Sequence, residues 1–147
     1  MSFFYVLNES VRILLADDDP IMREFASVYL SSPKADVVTV LHGGAAIDAL
    51  KKGAFDILLL DLEMPEMNGF EVLDRLRSDP ATTFLPVIVI TGLEDFVSID
   101  RAYALGATSF VIKPVNWRLL AYQVKYVLRN ACSSAPSSAK LTMQGVA

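Results

Sequence analysis

The sequence predicts an α/β protein, an open and doubly wound sheet of five parallel strands alternating with five helices. Three observations predict it. Short β-branched or leucine-rich runs alternate along the chain with longer segments whose apolar residues recur every three to four positions. Three of the short runs are nearly continuously apolar, as strands covered by helices on both faces require. The 147 residues are 53% apolar and 20% charged, enough for one domain with a core buried on several sides.

The first strand is expected at Val11–Ala16. Asp19-Pro20 then offers an N-cap followed by proline at the first helical position, and Ile21, Phe25 and Val28 fall on one face of the helix that follows. A second strand at Asp36–Leu41 leads into a helix over Gly44–Lys51. A third at Phe55–Leu60 leads into a helix over Phe70–Arg77, which stops before Asp79-Pro80 because proline disfavours a helical residue ahead of it. The fourth strand, Pro86–Ile90, precedes a helix over Glu94–Leu105 that Gly106 ends in a left-handed cap. The fifth, Thr108–Ile112, precedes a helix over Asn116–Arg129 with Leu120, Val124, Val127 and Leu128 on one stripe. Right-handed crossovers wind such a series into one sheet, with the ligand site at the carboxyl ends of the strands.

The flanks differ from this middle. Residues 1–10 form an N-terminal extension whose apolar patch Phe3–Leu7 is expected to pack on the domain, against the alternative of a loose leader. Residues 11–130 are the folded domain, and 131–147 are a tail or linker rich in Ser and Ala. The apolar runs fall far short of the roughly 20 residues that cross a bilayer, and no basic region precedes Phe3–Leu7, so neither a membrane span nor a signal peptide is expected. Cys132 is the only cysteine and His42 the only histidine, so a disulfide within the chain and a structural zinc site are both excluded. A reducing, cytoplasmic setting follows. Thirteen basic against seventeen acidic residues give a net charge of −4, which argues against a broad nucleic-acid surface and suits a small cation better.

Strand one ends in Ala16-Asp17-Asp18-Asp19-Pro20 and strand three in Leu60-Asp61-Leu62-Glu63. Side by side, these ends bring Asp17, Asp18 and Asp61 into one depression, where like charges oppose one another until a proton or a cation relieves them. Oxygen-only ligands select a hard ion, and Mg²⁺ with a phosphate fits best. Asp19 reads more simply as a helix cap. Strands four and five end in Ile90-Thr91-Gly92 and Ile112-Lys113-Pro114, a hydroxyl and an ammonium able to hold phosphoryl oxygens, with Gly92 leaving access. Gly43-Gly44 lacks the residues of a P-loop and reads as a turn, and His42 beside it as a loop histidine without a role.

The runs ILLADDDP, DILLLDLEMPEMNGFEVL, PVIVITG and GATSFVIKP resemble the receiver domain of bacterial two-component response regulators, over about Val11 to Arg129. The resemblance implies a flavodoxin-like sheet in the order 2-1-3-4-5. It implies that Asp61 accepts a phosphoryl group from a sensor histidine kinase or a phosphotransfer protein, and that the domain catalyses only its own phosphorylation and dephosphorylation. Mg²⁺ would be held by Asp18 and Asp61 directly, by Asp17 largely through water, and by the backbone carbonyl of Glu63. Thr91 and Lys113 would hold phosphoryl oxygens, and Glu63 and Leu93 occupy places that tune the lifetime of the phosphorylated state in similar domains. Phe110 takes the place of a switch aromatic that here could signal only by ring burial, and Lys113-Pro114 matches a cis peptide. A contact face for a homodimer or an output partner would lie on the fourth helix, fifth strand and fifth helix, where Leu119, Tyr122, Tyr126 and Arg129 stand off the core stripe.

Two other readings stand beside a self-contained receiver. The segment KPVNWRLLAYQVKYVLRN resembles receivers that precede cyclic-dinucleotide synthesis or hydrolysis domains in longer proteins. Asp17-x-Asp19 after a strand also has the acidic spacing of haloacid dehalogenase-type Mg²⁺ phosphatases, which would place a covalent intermediate on Asp17 in place of Asp61.

Overall fold

The computed structural model describes residues 6–133. Strands and helices alternate through them: β1 Val11–Ala16, α1 Pro20–Leu30, β2 Ala35–Val40, α2 Gly43–Lys52, β3 Ile57–Leu60, α3 Gly69–Ser78, β4 Val87–Thr91, α4 Phe96–Ala104, β5 Ser109–Ile112 and α5 Trp117–Ser133. The strands make one parallel sheet in the order β2-β1-β3-β4-β5, as the resemblance implied. The apolar runs of β1, β3 and β4 fill the middle of the sheet, while β2 and β5, which carry Asp36, Thr39 and Ser109, form its partly exposed edges.

Alternation along each central strand divides the core into two layers. Ile13, Leu15, Ile57, Leu59, Ile88 and Ile90 face α1 and α5, where Met22, Ala26, Leu120 and Val124 meet them. Leu14, Leu58, Leu60, Val87 and Val89 face the other way, toward Ala46, Phe70, Val72, Leu73 and Ala102. Leu7 is buried in the first layer and Val6 packs against it, while Phe3, Phe4 and Tyr5 of the expected packing segment lie outside the described residues.

Local chemistry sets the helix boundaries. Asp19 caps α1 by accepting the N–H of Ile21, with Pro20 next. Asn68 and Glu71 form a reciprocal capping box on α3. Asp95 caps α4 at Phe96, two residues after the expected start at Glu94. Gly106, at φ +104°, ends α4 in a Schellman motif, with Ala107 N–H donating to Ala102 and Gly106 N–H to Tyr103.

Three expectations need correction. The row Ile21, Phe25 and Val28 does share one face of α1, but that face is 62%, 43% and 64% exposed; Met22, Ala26 and Leu30 are the buried row. The small Ala26 brings the helix close to the sheet. β3 starts at Ile57 because Asp56 turns its carboxylate onto the N–H of Arg12 at 2.7 Å. α5 continues past Arg129 to Ser133, taking in the first three residues of the expected tail, since no proline intervenes before Pro136; residues 134–147 lie outside the described residues.

Candidate functional site

The parallel register gathers the singled-out residues at one edge of the sheet. Ala16 is level with Leu60, so Asp17 and Asp61 emerge side by side. Backbone hydrogen bonds from Asp61 to Ala16, 3.0 Å, and from Asp17 to Val40, 3.1 Å, carry the pairing just past the strands. On the far side Thr91 is level with Ile112, and the N–H of Lys113 donates to the Thr91 carbonyl at 2.8 Å. Lys113 then turns back over the sheet edge ahead of a cis bond to Pro114.

One oxygen each from Asp17, Asp18 and Asp61 can be chosen so that all lie within 4.8 Å of one another. Asp17 and Asp61 are buried and Asp18 is exposed. The ammonium of Lys113 lies 2.9 Å from Asp17 Oδ2 and 3.4 Å from Asp61 Oδ2. Asp61 Oδ1 accepts the N–H of Glu63 at 3.2 Å, and Asp17 Oδ1 accepts that of Asp19 at 2.9 Å. Asp17 Oδ2 receives no hydrogen bond of acceptable angle, although Lys113 is close. Burial pushes the Asp17 carboxyl above its ordinary range, and the charge of Asp61 adds to the push; the Asp19 N–H and Lys113 only partly offset it. Burial pulls Lys113 the other way, down, but its contacts with Asp17 and Asp61 outweigh that and raise it. One ammonium between buried carboxylates leaves the pocket short of positive charge. An oxygen-only donor set with an orphaned buried oxygen fits a hard divalent cation such as Mg²⁺.

The neighbouring loops keep the pocket narrow. A Cβ on Gly69 would stand 2.4 Å from the Asp61 carbonyl oxygen and 2.7 Å from Leu62 Cα, backbone atoms that cannot yield, so only glycine lets α3 start this close to the end of β3. Between them Glu66 adopts φ +67°, and Met67 N–H donates to the Pro65 carbonyl at 2.7 Å, closing a three-residue turn. Thr91 is buried, and its Oγ1 accepts a long bond from Leu93 N–H at 3.4 Å, leaving the hydroxyl proton for another acceptor. Glu63 is exposed and its carboxylate lies outside the acidic cluster, near Gly92. Phe110 packs half-buried against the second core layer, its ring centroid 6.4 Å from that of Tyr103.

Asp17, Asp18, Asp61 and Lys113 therefore converge, and Asp19 serves as a cap, as the sequence suggested. Two roles were not legible there. His42 is the N-cap of α2, its Nδ1 accepting Ala45 N–H at 3.0 Å; its place directly ahead of the helix was the available signal. Arg23 sends Nη1 to the carbonyl oxygen of Asp17 at 3.0 Å, a contact with no signature in the sequence.

The response regulator receiver domain family matches residues 13–125. The chain belongs to that family. This receiver is 35% identical over 118 residues to a probable cyclic di-GMP phosphodiesterase of Vibrio cholerae, which covers 80% of this chain and 26% of that protein. It is 33% identical over 118 residues to the DNA-binding response regulator MtrA of Mycolicibacterium smegmatis, covering 80% and 50%. The chain thus spans about a quarter of the first relative and half of the second. Among solved structures it resembles the chemotaxis protein CheY4 of Vibrio cholerae, with TM-score 0.75, 28% identity and coverage of 80% of this chain and 98% of that one. Receivers of this family work in two-component signalling with histidine kinases or phosphotransfer proteins. Membership, with Asp19 engaged as a cap, removes the ground for the haloacid dehalogenase reading. Among the described residues no helix is long and apolar enough to cross a membrane.

Proposed function

We propose that this receiver takes a phosphoryl group onto Asp61 from the phosphohistidine of a sensor histidine kinase or a phosphotransfer protein, and that the modification switches a protein-contact face. The observation that carries the reading is Asp61, 4% exposed, gathered with Asp17 and Asp18 and in contact with the Lys113 ammonium. An oxygen of Asp61 attacks phosphorus while the bond from phosphorus to the donor nitrogen breaks and its electron pair leaves with the donor. Lys113 holds one phosphoryl oxygen, and the Thr91 hydroxyl donates to another. Asp18 and Asp61 directly, Asp17 through water and the Glu63 carbonyl would hold Mg²⁺, which supplies charge neutralisation for the transferring group.

Movement of Thr91 toward the phosphoryl oxygens would free space beneath Phe110 and let its half-exposed ring turn inward, shifting an existing equilibrium. The face over α4, β5 and α5 suits the readout, as a homodimer or with an output partner: Val97, Tyr103, Ile112, Leu119, Tyr122 and Tyr126 are all exposed there. Arg129 lies over the Tyr126 ring at 4.9 Å, and aromatic rings with arginine are frequent in interfaces. A second reading rests on the length of the relatives: the receiver would control a following domain that makes or breaks a cyclic dinucleotide, as the name of the Vibrio cholerae relative suggests.

Incubation with acetyl phosphate and Mg²⁺, followed by intact-protein mass spectrometry, tests the acceptor. The wild type should gain about 80 Da and Asp61→Asn should gain nothing. An Asn variant that gains the adduct as the wild type does would overturn the assignment.

A further inference from the structure

The Asp18 carboxylate is the exposed member of the acidic cluster, and among the described residues no side-chain hydrogen bond or ion pair anchors it. Asp17 is held by Asp19 N–H and Lys113, and Asp61 by Glu63 N–H and Lys113. Something else must fix the direction in which Asp18 leaves the backbone. The peptide joining Asp17 to Asp18 is planar, so fixing its carbonyl oxygen also fixes its N–H and the Cα of Asp18. That oxygen belongs to a buried residue, and Arg23 Nη1 donates to it at 3.0 Å from one turn into α1. Arg23 is itself tied to the same loop through its N–H on the Asp19 carbonyl at 3.2 Å. It is half-buried and, among the described residues, has no carboxylate partner, so the contact to Asp17 is what orders its guanidinium.

From this we infer that Arg23 is a positioning residue for the cation site, acting through the Asp17–Asp18 peptide to aim the Asp18 carboxylate. The inference rests on the reading of the acidic cluster as a divalent-cation site. Electrostatics alone would give the opposite sign, because removing a positive charge beside three carboxylates favours binding of a second cation. Weaker Mg²⁺ binding on loss of Arg23 can therefore come only from misplaced ligands.

The test is calorimetric titration of the unphosphorylated protein with MgCl₂, for wild type, Arg23→Met, Arg23→Lys, Asp18→Asn and the double variant Arg23→Met/Asp18→Asn, each checked for fold by circular dichroism. Arg23→Met should bind Mg²⁺ about tenfold more weakly, the scale seen when a group behind a metal ligand is lost. Arg23→Lys, which keeps a donor on a long stem, should recover part of the loss. In the Asp18→Asn background the Arg23→Met change should cost little more, since its effect runs through Asp18. Unchanged or tighter binding by a folded Arg23→Met protein would overturn the inference, as would an undiminished loss in the double variant. Should Arg23→Met fail to fold, Arg23→Lys decides: a partial loss that disappears in the Asp18→Asn background supports the positioning role, and affinity equal to the wild type, or a loss that persists in that background, overturns it. A wild type that binds no Mg²⁺ would instead remove the cation reading beneath it.

Discussion

Asp17 carries its charge in a place that water does not reach, and burial accordingly raises its carboxyl above the ordinary aspartate value of 3.8. An acid shifted upward on folding binds more protons when folded than when unfolded, so between the two values stability falls as the pH rises. In the metal-free protein the cost grows as the pH rises above the ordinary aspartate value and is complete once the folded value is passed. Asp17→Asn removes it and leaves Lys113 paired with Asp61 at 3.4 Å. The metal-free variant should melt several degrees above the wild type at pH 7, on the basis that about 1 kcal/mol moves Tm by roughly 2–8 °C in domains of this size range. The gap should narrow as the pH is lowered toward 4, and Mg²⁺ should raise the Tm of the wild type more than that of the variant. Scanning calorimetry with and without Mg²⁺ at several pH values checks this; a variant that melts below the wild type at neutral pH would contradict it.

Arg77 joins three elements at the opposite end of the molecule from the acidic pocket. From the last turn of α3 its Nε and Nη2 donate to the Gly106 carbonyl at 3.1 and 2.7 Å, and its Nη1 to the carbonyls of Thr82 and Thr83. The turn that ends α4 and the loop that leads into β4 are thereby fastened to α3, and burial lowers the guanidinium from its ordinary range. Arg77→Met keeps much of the stem but leaves the Gly106 and Thr83 carbonyls without that donor and Thr82 with Leu85 N–H alone, and should cost about 2–4 kcal/mol. Urea unfolding measures it; a loss under about 0.5 kcal/mol, the scale of an ordinary surface change, would show that water replaces the guanidinium freely. Such ties explain which elements the sequence revealed. Asp19-Pro20, Asp79-Pro80 and Gly106 mark helix ends through local chemistry, and the structure ends its helices there or within a residue or two. The buried row of α1 did not announce itself, because Met22, Ala26 and Leu30 at i, i+4, i+8 and Ile21, Phe25 and Val28 at i, i+4, i+7 both fit a helical stripe, and period alone does not say which row meets the sheet. Nor could Arg77 be linked to a carbonyl 29 residues away from composition or period.

At the scale of the whole molecule, the sheet order is what turns separate motifs into a site. Four strand ends distant in sequence meet because β1 lies beside β3 and β4 beside β5, and the continuous apolar runs of β1, β3 and β4 held that information. Asp17, Asp61, Thr91 and Lys113 were legible for this reason: each follows or closes a strand, so topology alone sets its height. Arg23, Gly69 and the exposure of Asp18 were not, since each depends on how a loop returns over the sheet edge. On the reading proposed above, the converged edge carries a labile acyl phosphate on one particular carboxylate. Borohydride reduction traps such an anhydride as the alcohol, so treating the acetyl phosphate- and Mg²⁺-loaded protein with borohydride and mapping the peptides reports the position itself. Homoserine in place of Asp61, and at no other aspartate, is the result expected. Homoserine at Asp17 or Asp18, or none anywhere, would contradict the account.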